Sequence, residues 1–161
     1  MEFAKNQIYP AVIEDLTQEG MGVAKLQGFT VFVPNTAIGD RGEIKLVKVL
    51  KHYGYGILTK LTSPSPDRVE PDCPVSGKCG GCLLRHISYD SELRWKEGMV
   101  ADCFARLGEI SLPVSPILGS KMQEGYRNKA QYPIQAGKDG KLKAGFYVGR
   151  SHRLVEQTRC K

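Results

Sequence analysis

Short apolar runs alternate with turn residues over the first sixty positions of the chain. Five segments combine β-branched or aromatic residues with glycine- or asparagine-containing boundaries, which is typical of strands. They are Ile8–Ile13, Val23–Leu26, Phe29–Val33, Glu43–Leu50 and Tyr53–Leu61. Five short strands at close spacing predict a small β-barrel.

The pattern changes after this segment. Residues 62–74 contain four prolines, which fix φ and lack a backbone donor, so we predict a linker. Residues 88–108 then carry apolar side chains at helical spacing, with Ser88 as N-cap and Gly108 after the end. The predicted apolar stripe comprises Leu93, Met99, Val100, Cys103, Phe104 and Leu107. We expect Cys103 to be a buried structural thiol within it.

Strand-like segments return in the last third of the chain. Tyr126–Ile134 and Lys141–Val148 flank the sequence GKDG, a typical hairpin turn, and His152–Glu156 forms a third segment. The predicted fold class is therefore mainly β with one helix: a small barrel, a segment with a helix, and the start of a β-rich domain. We expect boundaries at residues 1–62, 63–110 and 111–161.

Composition narrows the class of protein. The 161 residues are 41% apolar and 25% charged, which is typical of a globular chain. No apolar run is long enough to span a bilayer, and the first residues lack the apolar core of a signal peptide, so we expect a cytoplasmic protein. The oligomeric state is not indicated.

The net charge of +6 is concentrated near one end. Residues 118–161 carry ten basic and three acidic residues, a net charge of +7. A basic segment of this kind favours a polyanionic partner, with nucleic acid as the first choice. An ordinary solvated face is the alternative.

Five cysteines argue against a disulfide framework, since their number is odd and no secretion signal precedes them. Metal ligands, catalytic thiols and buried apolar thiols remain. Cys73, Cys79 and Cys82 lie within ten residues of a Pro- and Gly-rich segment, and Cys160 lies far downstream. Four thiolates at such spacing suit an iron–sulfur cluster. A zinc site, with His86 as a substitute ligand, and unliganded thiols remain the alternatives.

Three stretches resemble the RNA (uracil-5-)-methyltransferases, which make 5-methyluridine in ribosomal or transfer RNA. CPVSGKCGGCLLRHISYDSELRWKEGMV resembles their iron–sulfur segment, and GMGVAKLQGFTVFVPNTAIGDRGEIKL resembles a TRAM domain, a small OB-like RNA-binding barrel. The stretch from YRNKAQYPIQ to Cys160 resembles the start of their central domain. The resemblance covers essentially the whole chain.

The resemblance implies a [4Fe-4S] cluster held by Cys73, Cys79, Cys82 and Cys160. It also implies that the S-adenosylmethionine site and the catalytic cysteine belong to a further domain. We therefore predict no catalytic residue in this chain, and an RNA-recognition portion that is inactive alone. The alternatives are a stand-alone RNA-binding module with a cluster or zinc and, less favoured, a ferredoxin-type electron carrier.

RNA, most readily ribosomal RNA and otherwise transfer RNA, is the expected partner. Arg127 and Lys129 lie two apart on a predicted strand, hence on one side, and Arg150 and Arg153 follow the hairpin. We predict that these four contact phosphates. On the barrel, the candidate stacking residues are Phe29, Phe32, Tyr53 and Tyr55. Phe32 is expected in the core, whereas the shared face of Tyr53 and Tyr55 is left open. His86 and His152 are expected to make structural hydrogen bonds.

Overall fold

The computed structural model describes residues 3–149, 151–157 and 160. Five strands come first: β1 Ile8–Leu16, β2 Gly22–Leu26, β3 Phe29–Val33, β4 Arg41–Val49 and β5 Tyr53–Ser63. Helix α1, Tyr89–Asp102, continues into a π-helical turn at Cys103–Leu107. Three short strands follow: β6 Ile134–Ala136, β7 Leu142–Tyr147 and β8 Leu154–Glu156. The mainly β fold with a single helix is confirmed for the part of the chain described.

The chain divides into two compact units. The first contains the residues up to Glu70 together with His86–Ile117, and the second contains Pro71–Arg85 together with the described residues from Leu118 onward. The middle segment expected at 63–110 therefore contributes to both units. No helix among the described residues is both long and apolar enough to cross a membrane.

The first unit is built on a closed five-stranded barrel with the strand order β1-β2-β3-β5-β4. All neighbouring strands are antiparallel except β3 and β5, which run parallel and close the barrel. The core consists of buried aliphatic side chains that alternate along the strands: Ile13, Ala24, Leu26, Val31, Val33, Ile44 and Leu46. The predicted barrel is confirmed, and all five predicted strands are present.

Two glycines allow the barrel walls to approach each other. A Cβ atom on Gly22 would lie 2.0 Å from Thr36 Oγ1, and one on Gly56 would lie 2.3 Å from Ile44 Cγ2. Contacts under 3.0 Å do not occur with a real Cβ, so these positions require glycine or a local rearrangement.

The predicted core location of Phe32 is wrong. Val31 and Val33 are fully buried, and Phe32, between them on β3, is only partly buried. Successive side chains of a strand point to opposite faces, so Phe32 lies on the outer face of the barrel. The run FTVFV is apolar on both faces, and its alternation alone could not distinguish them. Phe29 instead packs against the core, with Phe3 and Tyr9 beside it.

A buried carboxylate holds the residues after β5 against the barrel. Asp40 accepts hydrogen bonds from the backbone N–H of Ala37 at 2.8 Å and of Ser65 at 2.9 Å, and from Arg68 Nε at 3.1 Å. The backbone of Arg68 also forms an isolated antiparallel β-bridge with that of Ile87, just before α1. Asp40 therefore links the β3–β4 turn to the segment that leads to the helix.

Helix α1 begins at the predicted cap, since the Ser88 hydroxyl accepts a hydrogen bond from the N–H of Ser91 at 3.3 Å. The predicted burial of Cys103 is wrong, and the apolar stripe is covered only in part, since Leu93 and Met99 are partly buried. Phe104 is 41% and Leu107 84% exposed, and Cys103 is exposed as well. Helical spacing identified the stripe but could not identify a partner to cover it.

The second unit contains a three-stranded antiparallel sheet in the order β6-β7-β8. The predicted hairpin is confirmed, because β6 pairs with β7 across the GKDG turn. The predicted strand Tyr126–Ile134 is wrong: residues 126–133 form no strand, and β6 begins only at Ile134. The residue types of this segment favour a strand, but Pro133 has no N–H to donate to a neighbouring strand.

Candidate cysteine site

The segment around Cys73, Cys79 and Cys82 is a series of tight turns in the second unit. The N–H of Ser76 donates to the carbonyl of Cys73 at 3.0 Å, and the N–H of Cys79 donates to that of Val75 at 2.9 Å. These bonds return the chain on itself, so that residues six and nine positions beyond Cys73 come back beside it. We name residues 73–82 the cysteine loop.

The cysteine loop is attached to the C-terminal end of β7. Cys79 forms an antiparallel bridge with Val148, and the N–H of Gly80 donates to the carbonyl of Tyr147 at 2.8 Å. A Cβ atom on Gly80 would lie 2.7 Å from that same carbonyl oxygen. Glycine is therefore required for this approach, which explains one of the two glycines between Cys79 and Cys82.

The four cysteines predicted as ligands line one cavity of about 290 Å³. Cys73 and Cys79 are half-buried, whereas Cys82 and Cys160 are exposed. Aromatic side chains complete part of the wall: Tyr126, Tyr132 and Phe146. Residues far apart in sequence, including Cys160, are thus brought to the cavity that the cysteine loop borders.

Two donors point at sulfur. The N–H of Gly81 donates to Cys79 Sγ at 3.4 Å, and Gln157 Nε2 donates to Cys73 Sγ at 3.8 Å. Hydrogen bonds of this kind stabilise negative charge on sulfur. They indicate an environment in which thiolates are supported by the backbone and by a neutral side chain.

The pKa of the Cys82 thiol depends on its neighbours. Burial raises its pKa, and the nearby Cys160, Cys79 and Cys73 add to this effect by like-charge repulsion, whereas Arg85 acts in the opposite direction. Ionisation of Cys82 is therefore disfavoured by negative charge on the neighbouring sulfurs and would be favoured by a cation beside it. Among the described residues, no three His, Cys, Asp or Glu side chains are close enough to hold a single metal ion.

Arg85 clamps the cysteine loop from the side. Its Nε and Nη2 donate to the two carboxylate oxygens of Asp72 at 2.6 and 2.9 Å, and Nη2 donates to Glu124 Oε1 at 2.7 Å. These bonds raise the pKa of the guanidinium, which remains charged. Arg85 therefore ties the residue before Cys73 to the segment after Leu118. Sequence reasoning missed it, although Asp72 and Arg85 flank the cysteines on both sides.

The predicted RNA-contacting residues occupy different surroundings. Arg127 lines the cysteine cavity, with its guanidinium 5.8 Å from the ring centre of Tyr126. Lys129 and Arg153 are exposed. Arg150 lies outside the described residues. Arg127 and Lys129 were expected on one side because they would lie two apart on a strand. The expected strand is wrong, since neither residue belongs to one.

The histidines make contacts other than those of metal ligands. His86 is buried in the first unit, and its Nε2 lies 3.1 Å from the carbonyl oxygen of Thr36. The ring of His152 meets the ring of Tyr147 edge-on at 5.5 Å. The expected structural hydrogen bond is confirmed for His86, whereas the contact of the His152 side chain is an aromatic one.

Comparison with known proteins identifies the barrel and its relatives. The TRAM domain model matches residues 2–59. A protein of Halalkalibacterium halodurans named an uncharacterized RNA methyltransferase is 46% identical over 97% of this chain and 34% of its own length. One of Listeria monocytogenes with the same description is 42% identical over 97% of this chain and 34% of its own length. The chain thus spans about a third of the length of these curated relatives.

A solved structure shows the same relationship. The tRNA (uracil-54, C5)-methyltransferase of Pyrococcus abyssi, in complex with S-adenosyl-L-homocysteine, is 28% identical with a TM-score of 0.54. The match covers 94% of this chain and 32% of that protein. The chain therefore contains a TRAM domain and is a homologue of RNA methyltransferases.

Proposed function

We propose that this chain is the RNA-recognition and iron–sulfur portion of an S-adenosylmethionine-dependent RNA (uracil-5-)-methyltransferase. The observation that carries the proposal is the single cavity lined by Cys73, Cys79, Cys82 and Cys160 in a homologue of RNA methyltransferases. RNA binding is supported by the TRAM domain. The uracil specificity is supported by the name of the Pyrococcus protein.

The donor set suits a [4Fe-4S] cluster. Such clusters are held by four cysteine thiolates, each on a different iron, so the sulfurs surround a volume rather than one point. A cavity of about 290 Å³ between the thiols agrees with this requirement. Four thiolates around zinc would instead converge to about 2.3 Å from one ion. The N–H groups of Gly81 and Gln157 that donate to sulfur are also suited to a cluster.

The proposed role of the cluster in this chain is structural. When bound, the cluster supplies cationic iron that relieves the repulsion among the thiolates. Cys160 and the cysteine loop are 78 residues apart at their nearest ligands, Cys82 and Cys160, and common ligation would tie them together. Ligand binding of this kind adds directly to the free energy of folding.

Phosphate contacts are proposed at Arg127, Lys129 and Arg153, and at Arg150, which lies outside the described residues. The support is the net charge of +7 over residues 118–161 and the exposure of Lys129 and Arg153. We favour ribosomal RNA as the target, with transfer RNA, named for the Pyrococcus protein, as the alternative. The S-adenosylmethionine site and the cysteine nucleophile are assigned to the part of the parent protein outside this chain. This chain on its own is therefore expected to be inactive.

Several apolar side chains are exposed near the end of the first unit. At the end of α1, Val100, Phe104 and Leu107 are exposed, and Ile110 and Leu112 follow. Contiguous exposed apolar side chains mark contact surfaces in proteins. We propose that another part of the parent protein covers them.

Purification without oxygen tests the proposed cofactor. The chain should be brown, with iron and acid-labile sulfide in equal amounts and close to four of each per chain, as a [4Fe-4S] group requires. Cys82→Ser should lose most of both, whereas Cys103→Ser, at an exposed helical position, should keep them. Colourless protein with stoichiometric zinc would overturn the assignment.

A further inference from the structure

Three aromatic side chains lie together on the outer surface of the barrel. The ring centres of Phe32 and Tyr53 are 5.6 Å apart, those of Phe32 and Tyr55 are 5.7 Å apart, and those of Tyr53 and Tyr55 are 5.8 Å apart. We name Phe32, Tyr53 and Tyr55 the aromatic patch. The mutual contacts make it one continuous surface.

The strand pairing explains why the patch faces outward. On β5, Gly54 and Gly56 are buried and point into the barrel, so Tyr53 and Tyr55 point away from it. The parallel pairing of β3 with β5 places Phe32 directly opposite Tyr55. Tyr53 retains 38% of its accessible surface.

The patch differs from the other aromatic cluster of the barrel. Phe3, Tyr9 and Phe29 pack against the aliphatic core and so contribute to burial. Phe32, Tyr53 and Tyr55 do not belong to that core. Tyr53 is exposed, and Phe32 and Tyr55 are only partly buried, so the three rings lose less accessible area on folding than core side chains do. The area that they leave exposed is available to a ligand.

The geometry of Tyr53 suits stacking by a planar ligand. Its ring meets those of Phe32 and Tyr55 edge-on, at interplanar angles of 65° and 76°. Neither neighbouring ring is therefore stacked in parallel on the ring of Tyr53. An aromatic face can stack with any of the four bases, so this contact does not depend on the RNA sequence.

The charge around the patch suits a polyanion. Lys48 is exposed and pairs directly with Tyr55, so the two side chains share one face of the sheet. Lys51 is exposed in the turn just before Tyr53. The two segments that form the patch, residues 29–36 and 46–56, contain no acidic residue.

We propose that the aromatic patch is a stacking site for unpaired bases of single-stranded RNA, with Lys48 and Lys51 beside its phosphates. This inference rests on the proposed RNA-binding function and assigns part of it to a defined surface of the barrel. Stacked rings select unpaired bases, since duplex bases are already stacked on one another. A duplex should therefore compete poorly for this site.

Binding of two oligomers to the whole chain tests the proposal. The first is an oligouridine of about 12 nucleotides, within the range of site sizes of OB-type folds. The second has the same length and phosphates but abasic positions. The wild-type chain should prefer oligouridine by roughly 5- to 150-fold, as expected for one stacked base.

Substitution at Tyr53 separates stacking from general apolar contact. Tyr53→Phe should keep the preference, because the ring remains, and Tyr53→Leu should abolish it, because only apolar area remains. Ile57→Ala removes an exposed apolar side chain on the same strand, two residues beyond Tyr55, and should change nothing. Circular dichroism of each variant checks that the barrel is folded.

The outcomes distinguish this inference from the proposed function. If the wild-type chain binds oligouridine and Tyr53→Leu and Phe32→Leu keep its full base preference, the stacking site is wrong and RNA binding stands. If the wild-type chain binds neither oligomer, both are wrong. Equal affinity of the wild-type chain for both oligomers also overturns the stacking site, because binding then depends on phosphates alone.

Discussion

Arg68 donates from Nε to Asp40 Oδ1 at 3.1 Å, across 28 residues of sequence. The Asp40 side chain is fully buried, and that of Arg68 is 21% exposed. Burial alone would raise the pKa of Asp40, but the hydrogen bond from Arg68 and those from Ala37 and Ser65 outweigh it and lower the pKa. The carboxylate is therefore ionised in the folded barrel, where it fastens the segment after β5.

Removing Arg68 should destabilise the first unit. Arg68→Met leaves the Asp40 carboxylate buried with only its backbone partners, and loss of one member of a buried pair costs about 3 kcal/mol or more. Urea unfolding followed by the fluorescence of Trp95 measures this, since the Trp95 Nε1 donates to the carbonyl of Leu16 on the barrel at 3.4 Å.

Lys25→Met is the matched control for this pair. Lys25 lies 3.8 Å from Glu14 on the barrel surface, with both side chains about half exposed. Exposed pairs contribute little, so its unfolding free energy should stay within about 0.5 kcal/mol of the wild type. Equal losses in the two variants would contradict a special role of Asp40.

His86 should make the first unit sensitive to mild acid. Burial lowers its pKa below the ordinary value of 6.5, and the positive charge of Arg68 acts in the same direction, against the Thr36 carbonyl and Asp40. The unfolded chain then binds a proton more readily than the folded one, so the unfolding free energy falls as the pH drops below about 6.5.

Two glutamine variants check this pH dependence. His86→Gln keeps a donor for the Thr36 carbonyl but cannot be protonated, so its stability should fall less between pH 6.5 and 5 than that of the wild type. His52→Gln, at an exposed turn, should retain the wild-type decline. An identical decline in His86→Gln would assign the effect to other groups.

Two glycine-to-alanine changes in the first unit should act in opposite directions. Gly22→Ala places a methyl group against Thr36 Oγ1 and Ile13 Cγ2 and should cost about 1–3 kcal/mol by overpacking. Gly98→Ala, at an exposed position of α1 with no atom within 4 Å, should stabilise by about 0.5–1 kcal/mol through helix propensity. Thermal unfolding followed by circular dichroism measures both.

The salt dependence of RNA binding tests the phosphate contacts. Lys129→Gln and Arg153→Gln should each reduce the slope of log affinity against log salt concentration by about 0.7, without loss of iron. Arg127→Gln should change the same slope and also lower the iron retained, because Arg127 lines the cysteine cavity. Lys5→Gln, at an exposed position before β1, serves as the control. An unchanged slope in all three variants would remove this surface from the RNA interface.

The barrel was predictable because its strands alternate and its turns contain glycine. The face of Phe32 was not, since β3 is apolar on both sides and only the pairing with β5 shows which side is the core. The Asp40–Arg68 contact was also invisible, because a turn sequence around Asp40 carries no sign of a partner 28 residues away.

The cysteine site was predictable in part. Spacing indicated that Cys73, Cys79 and Cys82 could converge, and the resemblance added Cys160. Spacing could not indicate the supporting contacts of Arg85 with Asp72 and Glu124, which depend on the path of the chain after Leu118. The predicted burial of Cys103 was wrong, because helical periodicity shows which side chains share a face but not what covers that face.

The cysteine cavity is discontinuous in sequence, and this has a consequence for synthesis on the ribosome. Cys82 is made 78 residues before Cys160, which at about 5–20 residues per second takes about 4–16 seconds. The three thiols of the cysteine loop are therefore synthesised well before Cys160, the fourth cysteine of the cavity. Throughout that interval their protection from oxidation depends on the reducing environment of the cell rather than on the fold.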